Sequence, residues 1–274
     1  MIPVLTSEVA LRLGAFIAVF SAMALWETLA PRRGLRMPKR ARWTANLALA
    51  VLSTLLLRLL FPAAAVGAAA VVADRGWGVL ALLNLPAWAA VPVSVVVLDL
   101  AIYLQHVLFH AAPTLWRLHR VHHADLDFDV TTGLRFHPIE MILSMLFKFS
   151  AVAALGPPVL GVLVFEVLLN ATSMFNHGNV RLPLSGDRVL RAVLVTPDMH
   201  RVHHSVLRHE ANSNFGFCLS WWDRLLGTYR AQPTAGHDGM TIGTAHLQDA
   251  QNQTLGWLLR LPALPSTGPY PIGS

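Results

Sequence analysis

The pentapeptide His-Arg-Val-His-His occurs twice in this chain of 274 residues, at His119–His123 and at His200–His204. A further pair, His106 and His110, precedes the first copy, so three clusters hold eight of the 13 histidines. Histidines three and four apart meet on one face of a helix. A fold that uses all three clusters must bring segments far apart in sequence to a common depth. The intervening sequence says in what solvent. Hydrophobic residues make up 54% of the chain and charged ones 13%, against ~25% charged in an ordinary soluble domain. That is too little charge to cover a water-exposed surface, and an integral membrane protein is the class that fits.

Val9–Trp26 is an apolar run just long enough for a hydrocarbon core that needs about 20 residues. Arg12 sits near its outer end, where it can snorkel. Six basic residues follow in Pro31–Arg42, which places this loop in the cytoplasm. A second run, Leu47–Phe61, meets Pro62 and is extended by Ala63–Ala73. It is read as a crossing from Trp43 to Val66, with Arg58 near the far interface and the turn Asp74–Gly76 beyond it. The third region starts near Val79, passes Pro86 and Pro92, and returns as a helix to the cytoplasm at about His110. Ile139–Ala154 and Val159–Asn176 flank Gly156-Pro157-Pro158, which cannot continue a helix. A hairpin with both ends on one side is expected, returning His177 to the level of the clusters. From Arg181 the chain is polar. Tyr229–Thr254 reads as a loop, Leu255–Leu264 as a short interfacial helix, and Pro265–Ser274 as a frayed tail.

The expected fold is an all-α integral membrane protein with about four transmembrane helices or helical hairpin arms. A cytoplasmic helical cap would hold a histidine-rich dimetal site. Residues 1–98 supply the N-terminal membrane helices and basic loop, 99–230 the histidine-box catalytic domain with the membrane hairpin 139–176, and 231–274 a polar C-terminal loop and tail. The net charge of +6 lies largely in loops and reports topology. With no Gly-rich phosphate loop and no aromatic platform, no nucleic acid partner is expected. Cys218 is the single cysteine, which excludes an internal disulfide and Cys-based zinc sites. No basic segment precedes the first apolar run, so a cleaved signal peptide is not expected.

On a helix, Asp99, Tyr103, His106 and His110 fall at about 0°, 40°, −20° and 20°, a single stripe. The acid and phenol lie deeper, where they can support the imidazoles, and an Asp in a membrane helix must face a polar interior. Each His-x-x-His-His box puts two imidazoles on one stripe and turns the third, about 100° away, toward a neighbouring site. Eight nitrogen ligands are too many for one ion and suit two, bridged by the boxes. Glu166, Asn170, Ser173 and His177 repeat the stripe, which makes His177 the expected ninth ligand. His137, just before Pro138, is read with Asp99, Tyr103 and Asn170 as a supporting or substrate contact rather than a ligand. His209, His237 and His246 are read as ordinary surface or core residues. All-imidazole sites suit iron, zinc, copper or nickel. Zinc held by three histidines hydrolyses or hydrates, whereas two ions beside a lipid cavity suit oxygen activation, because an aliphatic C–H bond gives a hydrolase nothing to attack. Trp116, Trp221 and Trp222 are read as interfacial belt residues in preference to walls of a lipid entrance.

The run D-x3-Y-x2-H-x3-H from Asp99, then LWRLHRVHH, RFHPIE, NHGNV, DMHRVHHS and NSNFGFCLSWWDRLLGTY, resembles the fatty acid hydroxylase/sterol desaturase superfamily. The likeness spans about Asp99–Tyr229, in the family's order. It implies a membrane non-haem di-iron oxygenase that uses O2 and two electrons to hydroxylate or desaturate a lipid such as a fatty acyl chain or sterol. Two iron ions are the implied cofactor, with zinc an alternative occupant. His106 and His110 match the first box; His119, His122 and His123 the second; His200, His203 and His204 the third; and His177 the ligand between boxes two and three. Some relatives carry a further histidine where this chain has Ser173. The haem-binding motif of fused cytochrome b5 domains does not occur here, since His137-Pro138 continues as Ile139-Glu140. Electrons are therefore expected from a separate ferredoxin, cytochrome b5-like protein or reductase. The WDRLLGTY segment is expected to pack the third box on the first two, with Asp223 and Arg224 anchoring it to a box histidine. A bacterial inner membrane is the expected location, with the site on the cytoplasmic side and the endoplasmic reticulum as the alternative. The rival reading is a metal-binding or metal-transport protein without oxygenase turnover.

Overall fold

A computed structural model describes residues 2–265 and 270–272. Within them the chain is all-α, with only isolated β-bridges outside the helices. Among the described residues, five segments are long and apolar enough to cross a membrane: Glu8–Leu29, Lys39–Leu82, Ala87–Ala111, Pro138–Leu155 and Val159–Asn176. They contain α1 (Ile2–Leu29), α2 (Lys39–Leu60), α3 (Ala64–Asp74), α4 (Ala87–Ala111), α6 (Pro138–Leu155) and α7 (Val159–Asn176). Their outer surfaces carry exposed leucine and isoleucine, including Leu11, Leu13, Ile17, Leu55, Leu59 and Leu160. An apolar rim around a polar interior is the arrangement a bilayer rewards.

The second segment is 44 residues long, about 66 Å if it were one helix at 1.5 Å per residue. It is not one helix. Pro62 cannot supply an N–H to the helix interior, so α2 ends at Leu60 and α3 begins after Ala63, with Ala64 at φ 49°. The single crossing expected from Trp43 to Val66 is therefore broken part-way. At its far end Trp77 and Gly78 press against Gly156, the tip of the α6–α7 hairpin. Gly156 closes α6 in the left-handed region at φ 63°, and a Cβ there would collide with the Trp77 carbonyl oxygen. Gly156→Ala is expected to cost about 2 kcal/mol from the backbone penalty and the collision together, read as a lowered unfolding midpoint in detergent.

All histidine boxes lie at the opposite end of this bundle. There α5 (Pro113–His123) folds back from α4, and the short α8 (Pro197–His203) packs over the end of α7. Arg42, fully buried at the start of α2, grips the loop that follows α5. Its Nε and Nη2 donate to the two Asp125 oxygens at 2.7 Å each, and Nη1 donates to Asp129 at 2.6 Å. Burial opposes ionisation of Asp125, but the guanidiniums of Arg42 and Arg135 more than offset it and hold its carboxyl well below the usual range. Glu27, near the end of α1, accepts from Val130 N at 2.7 Å and Asn179 N at 2.8 Å. Arg36 N donates to Asp127 at 2.8 Å. The basic loop and the boxes thus share one end of the molecule.

Two expectations change. Arg12 does not snorkel outward: Nη1 pairs with Glu8 and with Glu166 of α7, each at 2.8 Å. The tail beyond Pro265 does not simply fray. Tyr270 is buried, stacks on Trp116 at 5.4 Å, and donates from its hydroxyl to Val206 O at 2.7 Å. The rest of that expectation, at 266–269 and 273–274, lies outside the described residues.

Candidate metal centre

The last two turns of α4 project His106 and His110 inward. The turn at Ala112, with Pro113 opening α5, lays His119 and His123 directly against them. Thr196 caps α8 through Met199 N and presents His200 and His203 from the third side. Nine buried imidazoles result, in two groups. The first is His106, His110, His119, His123 and His203; the second is His122, His177, His200 and His204. In each group the candidate ligand atoms lie within 4.8 Å of one another. The i,i+4 members of each His-x-x-His-His box go to one group, and the histidine adjacent in sequence goes to the other. In α5 the pair His119/His123 joins the first group and His122 the second; in the third box His200/His204 join the second and His203 the first.

Hydrogen bonds fix the tautomers of several rings. Backbone carbonyls can only accept, so His106 Nδ1 donates to Phe215 O at 2.8 Å, His203 Nδ1 to Ser213 O at 2.7 Å, and His177 Nδ1 to Ser173 O at 2.7 Å. His119 Nδ1 lies 2.6 Å from Glu140 Oε1, and His110 Nδ1 lies 3.1 Å from Asn212 Oδ1. The Nε2 atoms of His106, His203 and His177 then carry lone pairs. His106 Nε2 and His119 Nε2 face each other at 3.1 Å, so either a proton on His119 or a cation held by both rings satisfies the His106 lone pair. Burial pushes His119 and His177 down from their ordinary 6.5 to about 3, so they stand neutral and able to ligate. In the second group His122 Nδ1, His200 Nδ1 and both nitrogens of His204 are buried without a hydrogen-bond partner. The donor set fits metal ions in both groups, and an all-imidazole set suits a borderline divalent cation such as iron or zinc.

The supporting residues are only partly those read from the sequence. Asp99 accepts from Cys218 N at 3.1 Å, Leu219 N at 3.0 Å and Trp222 Nε1 at 2.9 Å, and Tyr103 shares a 2.8 Å hydrogen bond with Thr228 Oγ1. Both brace the 215–228 loop, whose Phe215 carbonyl orients His106, and neither bonds a clustered histidine. Asn170 donates to Glu166 O and lines a cavity. His137 caps α6 by accepting from Ile139 N and stands outside both groups. The Ser173 hydroxyl donates to Gly133 O at 3.1 Å, so the second group has four imidazoles where the first has five. Glu140 and Asn212 went unread. Glu140 had a signal, being the one acid in a largely apolar helix; Asn212 had none. Glu140→Ala should weaken metal binding about 10–100-fold through loss of the His119 orientation, measured by chelator competition.

Three further expectations are corrected. Trp116 is no belt residue: it is fully buried, 4.8 Å from the His110 ring and 5.2 Å from that of His123. Trp222 is tied to Asp99, while Trp221 remains partly exposed. Asp223 anchors Phe215 N, Gly216 N and the Thr228 hydroxyl rather than a histidine, and Arg224 donates to Arg191 O. His209 and His246 are exposed, and His237 is buried 3.6 Å from Asp198; none joins a group.

Comparison with known sequences agrees with this arrangement. The sequence model described as fatty acid hydroxylase matches residues 91–228, which covers the first box through the Thr228 brace. The chain belongs to the fatty acid hydroxylase family. It is 31% identical over 143 residues to the ornithine lipid hydroxylase of Rhizobium tropici, a match covering 52% of this chain and 42% of that protein. It is 28% identical over 134 residues to human alkylglycerol monooxygenase, covering 49% and 29%. With rat cholesterol 25-hydroxylase it shares 28% identity over 173 residues, covering 59% and 57%. The chain thus spans less than two thirds of the length of these relatives. No solved structure matches it. In this fatty acid hydroxylase family chain, as in any metal-free imidazole site, protons compete for the donors. His119 and His177 sit at about 3 folded and near 6.5 unfolded. The stability tied to their neutrality is fully present above about 6.5 and is lost as pH falls toward 3. The metal-free protein should therefore show a falling unfolding midpoint from pH 7 to pH 5.

Proposed function

We propose that this protein is a membrane di-iron oxygenase that hydroxylates or desaturates a lipid, drawing electrons from a separate ferredoxin, cytochrome b5-like protein or reductase. The observation that carries this reading is that His106 and His119, whose Nε2 atoms lie 3.1 Å apart in the first histidine group, also line a large cavity running between the membrane helices. Its volume is about 550 Å³, within the ~300–1,000 Å³ of small-molecule sites. Five histidines would hold one iron and four the other. Bound iron would supply the activation of O2 and the oxidation of a C–H bond.

The chain's own residues do the rest. Phe136, stacked 4.4 Å from the His122 ring, and Phe217, 5.2 Å from that of His106, wall the metal end of the cavity. They leave room for a carbon chain and exclude bulk water. Helices on three sides keep the imidazoles fixed, so positioning rather than acid–base chemistry is the protein's contribution. The basic loop lies at the same end as the boxes, which supports a site on the cytoplasmic face, and the bacterial inner membrane is the location we favour. Ligands gathered at one end of the bundle, rather than along a path through it, count against a transporter. The test is anaerobic loading with ferrous iron, followed by metal analysis and O2 uptake with a reductant. Two irons per chain and uptake that depends on added lipid are expected. One zinc per chain with no uptake would overturn the reading. Lipid analysis of a deletion strain would then identify the product that disappears.

A further inference from the structure

The cavity that begins at His106 and His119 does not end in hydrocarbon. Arg12 of α1, Arg58 of α2, Lys148 of α6 and Glu166 of α7 all line it. Glu166 is almost fully buried, accepting from Lys148 Nζ at 2.7 Å and Arg12 Nη1 at 2.8 Å. Phe61 and Phe149 meet edge to face at 5.2 Å, which brings Arg58, one turn before Phe61, to the level of Lys148. Glu166 precedes His177 by 11 residues of α7, about 16 Å at 1.5 Å per residue. The charged group therefore sits well inside a hydrocarbon core of about 30 Å, where ionisable side chains are costly and rarely retained without use.

The balance of charge is uneven. Three cations line this end against Glu166, and Glu8, which pairs with Arg12 from behind, brings the total to three positive and two negative. Arg12 and Lys148 are bound to carboxylates, whereas Arg58, an exposed residue on the rim of the cavity, makes no hydrogen bond or ion pair among the described residues. A structural ion cluster joining α1, α6 and α7 would account for the first two and leaves Arg58 unexplained. Resting on the lipid-oxygenase reading, we propose that this end binds the anionic headgroup, carboxylate or phosphate, of a single-chain amphiphile whose hydrocarbon runs to the histidines. A neutral sterol or alkylglycerol would offer no partner to the surplus of positive charge on this cavity wall. The distance between the charges and His177 is that of an extended acyl chain, so the oxidised carbon lies toward the chain's far end and not beside its headgroup.

Binding tests this without turnover. Metal-free and iron-loaded protein in detergent would be titrated with radiolabelled palmitate, lysophosphatidate and hexadecanol in a scintillation proximity assay. Palmitate or lysophosphatidate is expected to bind at least about tenfold more tightly than hexadecanol, and whichever binds more tightly names the headgroup. Arg58→Gln, which breaks no hydrogen bond or ion pair among the described residues, or Lys148→Gln should abolish that preference while leaving hexadecanol binding within about twofold. Equal binding of all three probes, or a preference that survives both variants, overturns the proposal. Because the readout is binding, failure here leaves the oxygenase reading standing. Charge-selective binding with no O2 uptake would sink that reading instead.

Discussion

His204→Ala should lower the iron content from two per chain to about one and abolish lipid-dependent O2 uptake. His204 is fully buried, and both of its ring nitrogens lack a hydrogen-bond partner. Its polarity is a cost in the metal-free protein and is repaid only by ligation. The variant should therefore fold and unfold in its metal-free form at least as well as the parent. The second group keeps only three imidazoles and has no fifth to substitute, because Ser173 is turned to Gly133 O. Metal analysis beside an unfolding curve separates the outcomes. Two irons retained with full O2 uptake would remove His204 from the site.

Arg42→Met should destabilise the fold by about 3–5 kcal/mol, since it leaves buried Asp129 without its guanidinium and Asp125 with only the more distant Arg135 at 3.9 Å. Asp125 is two residues beyond His123 and Asp129 lies further along the same loop, and both are fully buried. Loss of Arg42 would free α2 from the segment that positions α5. Adding Asp125→Asn and Asp129→Asn should recover part of the loss by removing the stranded charges. If the single variant unfolds at the parent's midpoint, the clamp is not structural.

The sequence made the helices and the boxes readable for a simple reason: both signals are local. Apolar runs of membrane length and imidazoles at i, i+3 and i+4 need no knowledge of the tertiary fold. The adjacent histidines of each box, about 100° apart on a helix, already implied two neighbouring sites. What was hidden depends on contacts between segments far apart. Arg12 looked like an interfacial residue because Glu166, its partner, lies 154 positions away. Trp116 looked like a belt residue because its stacking partner Tyr270 belongs to a segment with no periodicity. Asp99 and Tyr103 were placed on the right stripe, but a stripe does not say whether a side chain meets the metal ligands or the loop behind them. Backbone carbonyls that orient imidazoles, at Phe215, Ser213 and Ser173, are invisible in any sequence because every residue has one.

The pairing of adjacent histidines across the two groups has a mechanical consequence. His122 and His123 are joined by one peptide unit and serve opposite groups, as do His203 and His204. The spacing between the two sites is therefore set by covalent geometry at two independent places. No hinge or sliding helix can widen it without distorting both α5 and the end of α8. Any change in separation during a reaction cycle must be absorbed by ring rotation, and the carbonyls on Nδ1 restrict that rotation in turn. The protein behaves as a fixed-gauge frame for its two histidine groups.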